Sequence, residues 1–209
     1  MNIKRQQKND KRLKDTKDKI MCKKLEELSK LKIEDLYDIF EEEYSESPVD
    51  IYEILKKLNV EYVATDFSEL SGVVNGIVLP DQADMVMGAV AAFSKEKYGR
   101  DAVRITVNAK DSYHRQKFTL AHELAHCMLH AESLKNGRLE LRTSITSDDP
   151  REKEANILAG KILIPEKLLK LAYINLSIPF LPSLAEVFDV SENVMAARLE
   201  YLGMGYYII

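Results

Sequence analysis

The sequence predicts an α+β fold: a small twisted sheet carrying a buried helix, followed by a helical C-terminal part. Three observations predict it. Residues 60–65 and 102–108 read as strands, the second rich in β-branched residues. Between Phe118 and Leu129 only Glu123 is certain to be charged, which is the pattern of a helix buried nearly all round. From Ser183 to Gly203 apolar residues return to helical spacing, with Leu184, Ala185, Phe188, Val190, Val194, Leu199 and Leu202 on inward positions. At 209 residues and 45% hydrophobic content, the chain suits one domain with an appendage and has enough apolar surface for a core.

Taken in order, residues 1–20 are basic and almost free of apolar side chains, so disorder is expected there. Interspersed Asp10, Asp15 and Asp18 dilute the charge, which favours a solvated extension over a nucleic-acid-binding tail. Leu25 to Tyr44 reads as one helix with Ile33, Leu36, Tyr37, Phe40 and Tyr44 on a shared face. Ser47-Pro48-Val49-Asp50 reads as a helix start, with Ser47 as cap, and Ile51, Ile54, Leu55 and Leu58 form that helix's inner face. Strands follow at 60–65 and 72–79, the latter ended by Pro80-Asp81. Residues 84–98 suit either strand or helix, and Gly99-Arg100-Asp101 reads as a turn before the strand at 102–108. The domain divisions expected from this pass are a basic tail at 1–24, an N-terminal helix at 25–46, a central domain at 47–180 and a helical pair at 181–209.

Inside the buried helix, His122-Glu123-Leu124-Ala125-His126 is an H-E-x-x-H motif. Residues four apart leave a helix on the same face, so both imidazoles can reach one Zn²⁺ at roughly 2.0–2.1 Å. Glu123 is one step round the helix, placed to act as general base toward a water acidified by the metal. A sheet followed by such a helix is a zincin-like layout, in which an edge strand near the metal can pair with an extended substrate. His130 lies one further turn along, but three histidines at i, i+4 and i+8 cannot close on one ion when each turn rises about 5.4 Å. His130 is therefore read as a non-ligand. Cys127 points about 100° away from His126, and Cys22 lies in a charged N-terminal stretch.

A catalytic zinc needs a third protein ligand and an open position. Asp149-Pro150 starts a second helix in which two carboxylates compete for that role. Glu152 shares a face with Ala155, Asn156, Ala159 and Leu163, and the small residues on it allow close approach to another helix. Glu154 shares its face with Lys161 and is expected in solvent. Glu152 is favoured, with Asn156 as a bracing neighbour of the ligand. The alternative for Glu152 is a capping box with Asp149. The connection 131–149 carries Gly137 and a polar run, and reads equally as a lid or as a plain surface loop. Tyr113, His114, Tyr201 and Tyr206 are candidates for stabilising an oxyanion, each with a structural role as the competing reading.

The segments Arg115-Gln116-Lys117-Phe118-Thr119-Leu120-Ala121-His122-Glu123-Leu124-Ala125-His126 and Glu152-Lys153-Glu154-Ala155-Asn156-Ile157-Leu158-Ala159 together resemble the ImmA/IrrE family of zinc metallopeptidases. That family shows R-x-R-F-T-x-A-H-E-L-x-H followed by E-x-x-A-N-x-F-A, and the likeness extends over roughly residues 47–203. The resemblance implies metal ligands at His122, His126 and Glu152 and a catalytic Glu123. Lys117 stands where Arg is usual, Ala125 where Gly is common and Leu158 where Phe is usual; these alter packing rather than ligation. The resemblance also implies a helix-turn-helix repressor of a mobile element or stress regulon as the protein substrate. The competing function is a regulatory protein that holds such a repressor without cutting it. A site built only for structure normally closes with four ligands and has no use for the base at Glu123, which weighs against that reading.

Composition excludes other classes. No apolar run reaches the roughly 18–20 residues of a membrane span, and the N-terminus lacks an apolar signal region. Two cysteines 105 positions apart give no disulfide framework, so a reducing cytoplasm is expected. Residues 1–30 carry a net +6 and the remainder −10. The helix-turn-helix-like segment 183–203 sets Glu186, Asp189, Glu192 and Glu200 against Arg198 alone, so phosphates are repelled and direct DNA binding is disfavoured. It reads instead as a packed helical pair and a docking surface for the substrate protein.

Overall fold

The computed structural model describes residues 22–67, 101–132, 134, 149–176 and 178–208, together with the backbone pairing of strands at 73–74, 77–78, 88–93 and 140–142. Its elements in chain order begin with helices α1 (Lys23–Leu28), α2 (Ile33–Ile39) and α3 (Ile51–Lys57). Strands β1 (Glu61–Thr65), β2 (Val73–Val74), β3 (Ile77–Val78), β4 (Gly88–Phe93) and β5 (Ala102–Asn108) follow. Helix α4 (Tyr113–Leu129) and strand β6 (Glu140–Arg142) precede α5 (Pro150–Leu163), α6 (Glu166–Asn175), α7 (Leu181–Phe188) and α8 (Glu192–Tyr201). This is an α+β fold. None of its described helices is long and apolar enough to cross a membrane.

Strand order in the main sheet is β1-β5-β4-β6, and β2 and β3 form a separate two-stranded ribbon. β5 runs parallel to β1, with Glu61 opposite Arg104, and antiparallel to β4, with Phe93 opposite Ala102. Along β5, Val103, Ile105 and Val107 are buried while Arg104 and Thr106 are only partly covered, so one face of this strand serves the core. Helix α4 lies between this sheet and α5, and every residue from Lys117 to Met128 is buried. Truncating a side chain such as Leu124, fully inaccessible here, would cost about 2–5 kcal/mol. That burial fixes the axis on which the H-E-x-x-H motif is mounted.

Several expectations are corrected by the structure. The stretch 25–44 is two helices, α1 and α2, separated at residues 29–32. Two local bonds punctuate it: the Ser29 hydroxyl donates back to the Glu26 carbonyl at 2.8 Å, and the Lys32 amide donates to Asp35 at 2.7 Å, restarting the helix. The cap of α3 is Asp50 rather than Ser47. Its carboxylate accepts from the Tyr52 and Glu53 amides at 2.9 and 3.2 Å, while Ser47-Pro48 lies upstream with a cis peptide. The strand expected over 72–79 is two short strands paired to each other, Val73 with Val78 and Val74 with Ile77. The ambiguous segment 84–98 contains strand β4, and the connection 131–149 contains strand β6, which pairs with β4. Helix α6 has no counterpart in the sequence reading. The tail 1–20, the turn at Gly99-Arg100 and most of the expected lid lie outside the described residues.

Candidate metal centre

Helix α4 starts on Ser112, whose hydroxyl accepts from the Arg115 amide, and runs without interruption through the motif. Helix α5 starts on Asp149 with Pro150 in its first turn. The two helices pack directly on each other, and the small buried side chains Ala155 and Ala159 on α5 permit it. Their packing brings three donors together. His122 Nε2 and His126 Nε2 stand 3.0 Å apart, and the Glu152 carboxylate lies 3.2 Å from the first and 3.5 Å from the second. His122, His126 and Glu152 are 2%, 1% and 5% exposed, so the cluster is shielded from bulk water.

These separations test whether the cluster fits a cation. A tetrahedral ion with bonds of roughly 2.0–2.1 Å holds its ligands about 3.3 Å apart along each edge. The three observed separations straddle that value. Two imidazoles and one carboxylate are also the donor set that borderline divalent metals take. The three residues could hold a metal ion. Glu123, adjacent to His122 on the helix, is wholly buried. Asn156 follows Glu152 by one turn and is half-buried.

The competing carboxylate and histidine are elsewhere. The Glu154 side chain is 62% exposed, and its carboxylate lies 3.6 Å from His130 Nε2. His130 Nε2 also lies 3.2 Å from the Arg151 carbonyl, so the third histidine faces the start of α5 instead of the metal cluster. Asp149 caps α5, accepting from the Arg151 amide at 2.9 Å. Cys22 and Cys127 are both free and buried. The Cys22 thiol donates to the Ala102 carbonyl at 3.4 Å.

A second buried charged group, which the sequence reading missed, ties the C-terminal pair to the motif helix. Lys117 is 3% exposed, and its ammonium donates to the Asp189 carbonyl at 3.1 Å and to its carboxylate at 2.9 Å. His114 Nε2 lies 3.0 Å from the same carboxylate. Burial, the largest single influence, would raise the Asp189 pKa, but the hydrogen bond and charge of Lys117 together with the hydrogen bonds of His114 and Tyr113 outweigh it and hold the carboxyl below its usual value. Tyr113, desolvated and bonded to Asp189, is pushed up to about 12. Asp189 itself caps α7 in the left-handed region at φ 51°. Farther along, Arg198 is buried and donates to the Ile164 carbonyl at 3.0 Å, joining α8 to the end of α5. Lys117 could have been found from spacing: it shares the inward stripe of Ala121, Leu124 and Met128.

Of the oxyanion candidates, Tyr113 and His114 are engaged by Asp189, Tyr206 donates to Glu200 and Tyr201 stacks under Lys161 and Arg198. An open depression of about 510 Å³ lies over the α7–α8 turn, lined in part by His114, Glu186, Asp189, Ser191 and Glu192. No residue of the metal cluster lines it. Its acidic lining fits the view that this helical pair is not a phosphate-binding surface.

No curated protein and no solved structure matches the chain. A family model described as the IrrE N-terminal-like domain, peptidase family M78, matches residues 88–200. That span is a little over half of the chain and runs from β4 to α8, enclosing both helices of the cluster. With the motif helix, its carboxylate-bearing partner and the helical pair all inside the match, the chain belongs to the IrrE N-terminal-like domain family of peptidases.

Proposed function

We propose that this protein is a zinc-dependent endopeptidase of zincin-like architecture whose substrate is another protein, a helix-turn-helix transcriptional repressor. The observation that carries the reading is the convergence of His122 Nε2, His126 Nε2 and the Glu152 carboxylate within 3.0–3.5 Å, beside the buried Glu123. His122, His126 and Glu152 would hold the ion, with Asn156 bracing Glu152. A zinc bound there would supply Lewis acidity, polarising the scissile carbonyl and acidifying a water.

The remaining work falls to this chain's own groups. Glu123 leaves the helix about 100° round from His122 and 1.5 Å along the axis, so its carboxylate borders the cluster without belonging to it. As an ionised carboxylate it takes the water's proton at Oε while the water oxygen bonds to the scissile carbonyl carbon. Carrying that proton, it delivers it to the amine nitrogen as the peptide bond breaks, returning to the carboxylate. Burial of the cluster excludes bulk water and strengthens each of these electrostatic interactions. The repressor as substrate rests on the family resemblance, and the acidic α7–α8 surface favours a protein partner over direct contact with DNA.

Incubating the candidate repressor with zinc and either the wild type or Glu123→Gln tests the reading. The wild type should turn the repressor into two fragments, and the variant should bind zinc and leave the repressor whole. Cleavage by Glu123→Gln would contradict the mechanism. A repressor held intact by the wild type would move the reading to sequestration without proteolysis.

A further inference from the structure

Two of the three donors at the cluster sit in terminal turns. His126 lies in the last turn of α4 and Glu152 in the first turn of α5. Helix ends fray, so a ligand there is held less firmly by its own helix than one in mid-helix. His130 ties these two ends together. It is the C-terminal cap of α4, and its amide donates to the His126 carbonyl at 2.8 Å. Its ring packs against the His126 ring, with centroids 5.2 Å apart. Its Nε2 lies 3.2 Å from the Arg151 carbonyl, which belongs to the peptide unit joining Arg151 to Glu152.

A carbonyl oxygen only accepts, so His130 Nε2 carries the proton of this bond. The Glu154 carboxylate, 3.6 Å from the same nitrogen, is too far away to be the hydrogen-bond partner. The His130 side chain is only 11% exposed, so the bond is largely shielded from competing water. The one residue thus touches a ligand ring on its own helix and the backbone beside the ligand on the other.

We infer that His130 is a positioning residue for the metal centre: its bond to the Arg151 carbonyl holds the first turn of α5 against the last turn of α4 and so fixes Glu152 relative to His126. This rests on the proposed metal site. A ligand held in place before the ion arrives loses less freedom on binding it. The bond reaches the backbone next to the ligand rather than the ligand's own oxygens. Its effect therefore belongs at the lower end of the roughly 10–100-fold that supporting groups contribute to metal affinity.

The test is a zinc competition titration against a chromophoric chelator, run on wild type, His130→Leu, His130→Gln and His130→Asn. Thermal unfolding of each metal-free protein sets a temperature at which all are folded. His130→Leu should bind zinc about tenfold more weakly. Glutamine carries its amide nitrogen three bonds from Cβ, as histidine carries Nε2, so His130→Gln should stay within a few-fold of wild type. Asparagine carries its nitrogen one bond short of that, so His130→Asn should bind as weakly as His130→Leu. A role in stability alone would lower melting temperatures and leave the zinc affinity of the folded variants unchanged. Equal zinc affinity of folded His130→Leu and wild type therefore overturns the inference while leaving the metal site standing. Should His130→Leu fail to fold, tighter binding by His130→Gln than by His130→Asn supports the inference, and equal binding by the two overturns it. No zinc uptake by the wild type overturns the metal site and this inference together.

Discussion

Among the described residues, two clusters of charged and polar groups are completed differently. At the Lys117–Asp189 clasp both signs of charge come from the chain: an ammonium meets a carboxylate at 2.9 Å and a backbone carbonyl at 3.1 Å. At the His122–His126–Glu152 cluster two ring nitrogens and a carboxylate converge within 3.0–3.5 Å, and His122 Nδ1 is left without a partner. The first arrangement has its cation built in. The second brings together donor atoms that could hold a metal ion. Buried polar groups that close on themselves hold a fold together, whereas those that converge on a common point prepare a site.

Removing ligands should separate the two clusters most strongly. His122→Ala should lower zinc affinity by more than about 100-fold, beyond the range expected of a supporting residue, read by chelator competition. Glu152→Gln should also weaken zinc binding, whereas Glu154→Gln, on a mostly exposed side chain, should leave it unchanged. If Glu154→Gln weakened zinc binding and Glu152→Gln did not, the roles assigned to the two carboxylates would be reversed. Next in size is the base. Glu123→Gln should lower the cleavage rate by about 10²–10⁴-fold with zinc still bound.

Breaking the clasp should act on stability. Lys117→Met leaves the Asp189 carboxylate without its main partner, and Asp189→Ala leaves a buried ammonium. Each should cost about 2–3 kcal/mol in urea unfolding, below the 3–5 of a fully buried pair because the Asp189 side chain is 32% exposed. The pH dependence has a definite sign. Asp189 has a folded pKa below its unfolded value, so its contribution is complete above the unfolded value near 4 and fades as pH falls through the folded one. The gap between wild type and Asp189→Ala should therefore narrow in acid. A gap that widened toward low pH would show that the clasp is not ionic. The smallest effect is expected at Glu154→Gln, within about 0.5 kcal/mol of wild-type stability.

Much of the site was legible in the sequence because helical periodicity is strict. The spacing of His122 and His126 fixes a shared face, and the small residues beside Glu152 foretell close packing of α5 on α4. The α+β class was legible from β5, whose β-branched pattern matches its observed bounds. What escaped was set by local hydrogen bonds and by tertiary contacts. The break between α1 and α2 depends on Ser29 and Asp35 acting on nearby backbone, a choice that apolar spacing alone does not register. The pairing of β2 with β3 had a signal that went unused: Asn75-Gly76 between two apolar pairs is the usual mark of a two-residue hairpin connection. The Lys117–Asp189 contact joins positions 72 apart, so only the inward spacing of Lys117 hinted at it.

Metal content per chain tests the central claim most directly. Elemental analysis of protein purified without chelator and without a nickel column should return close to one zinc per chain, falling to near zero in His122→Ala. No bound metal in the wild type, and no uptake when zinc is added, would contradict the account.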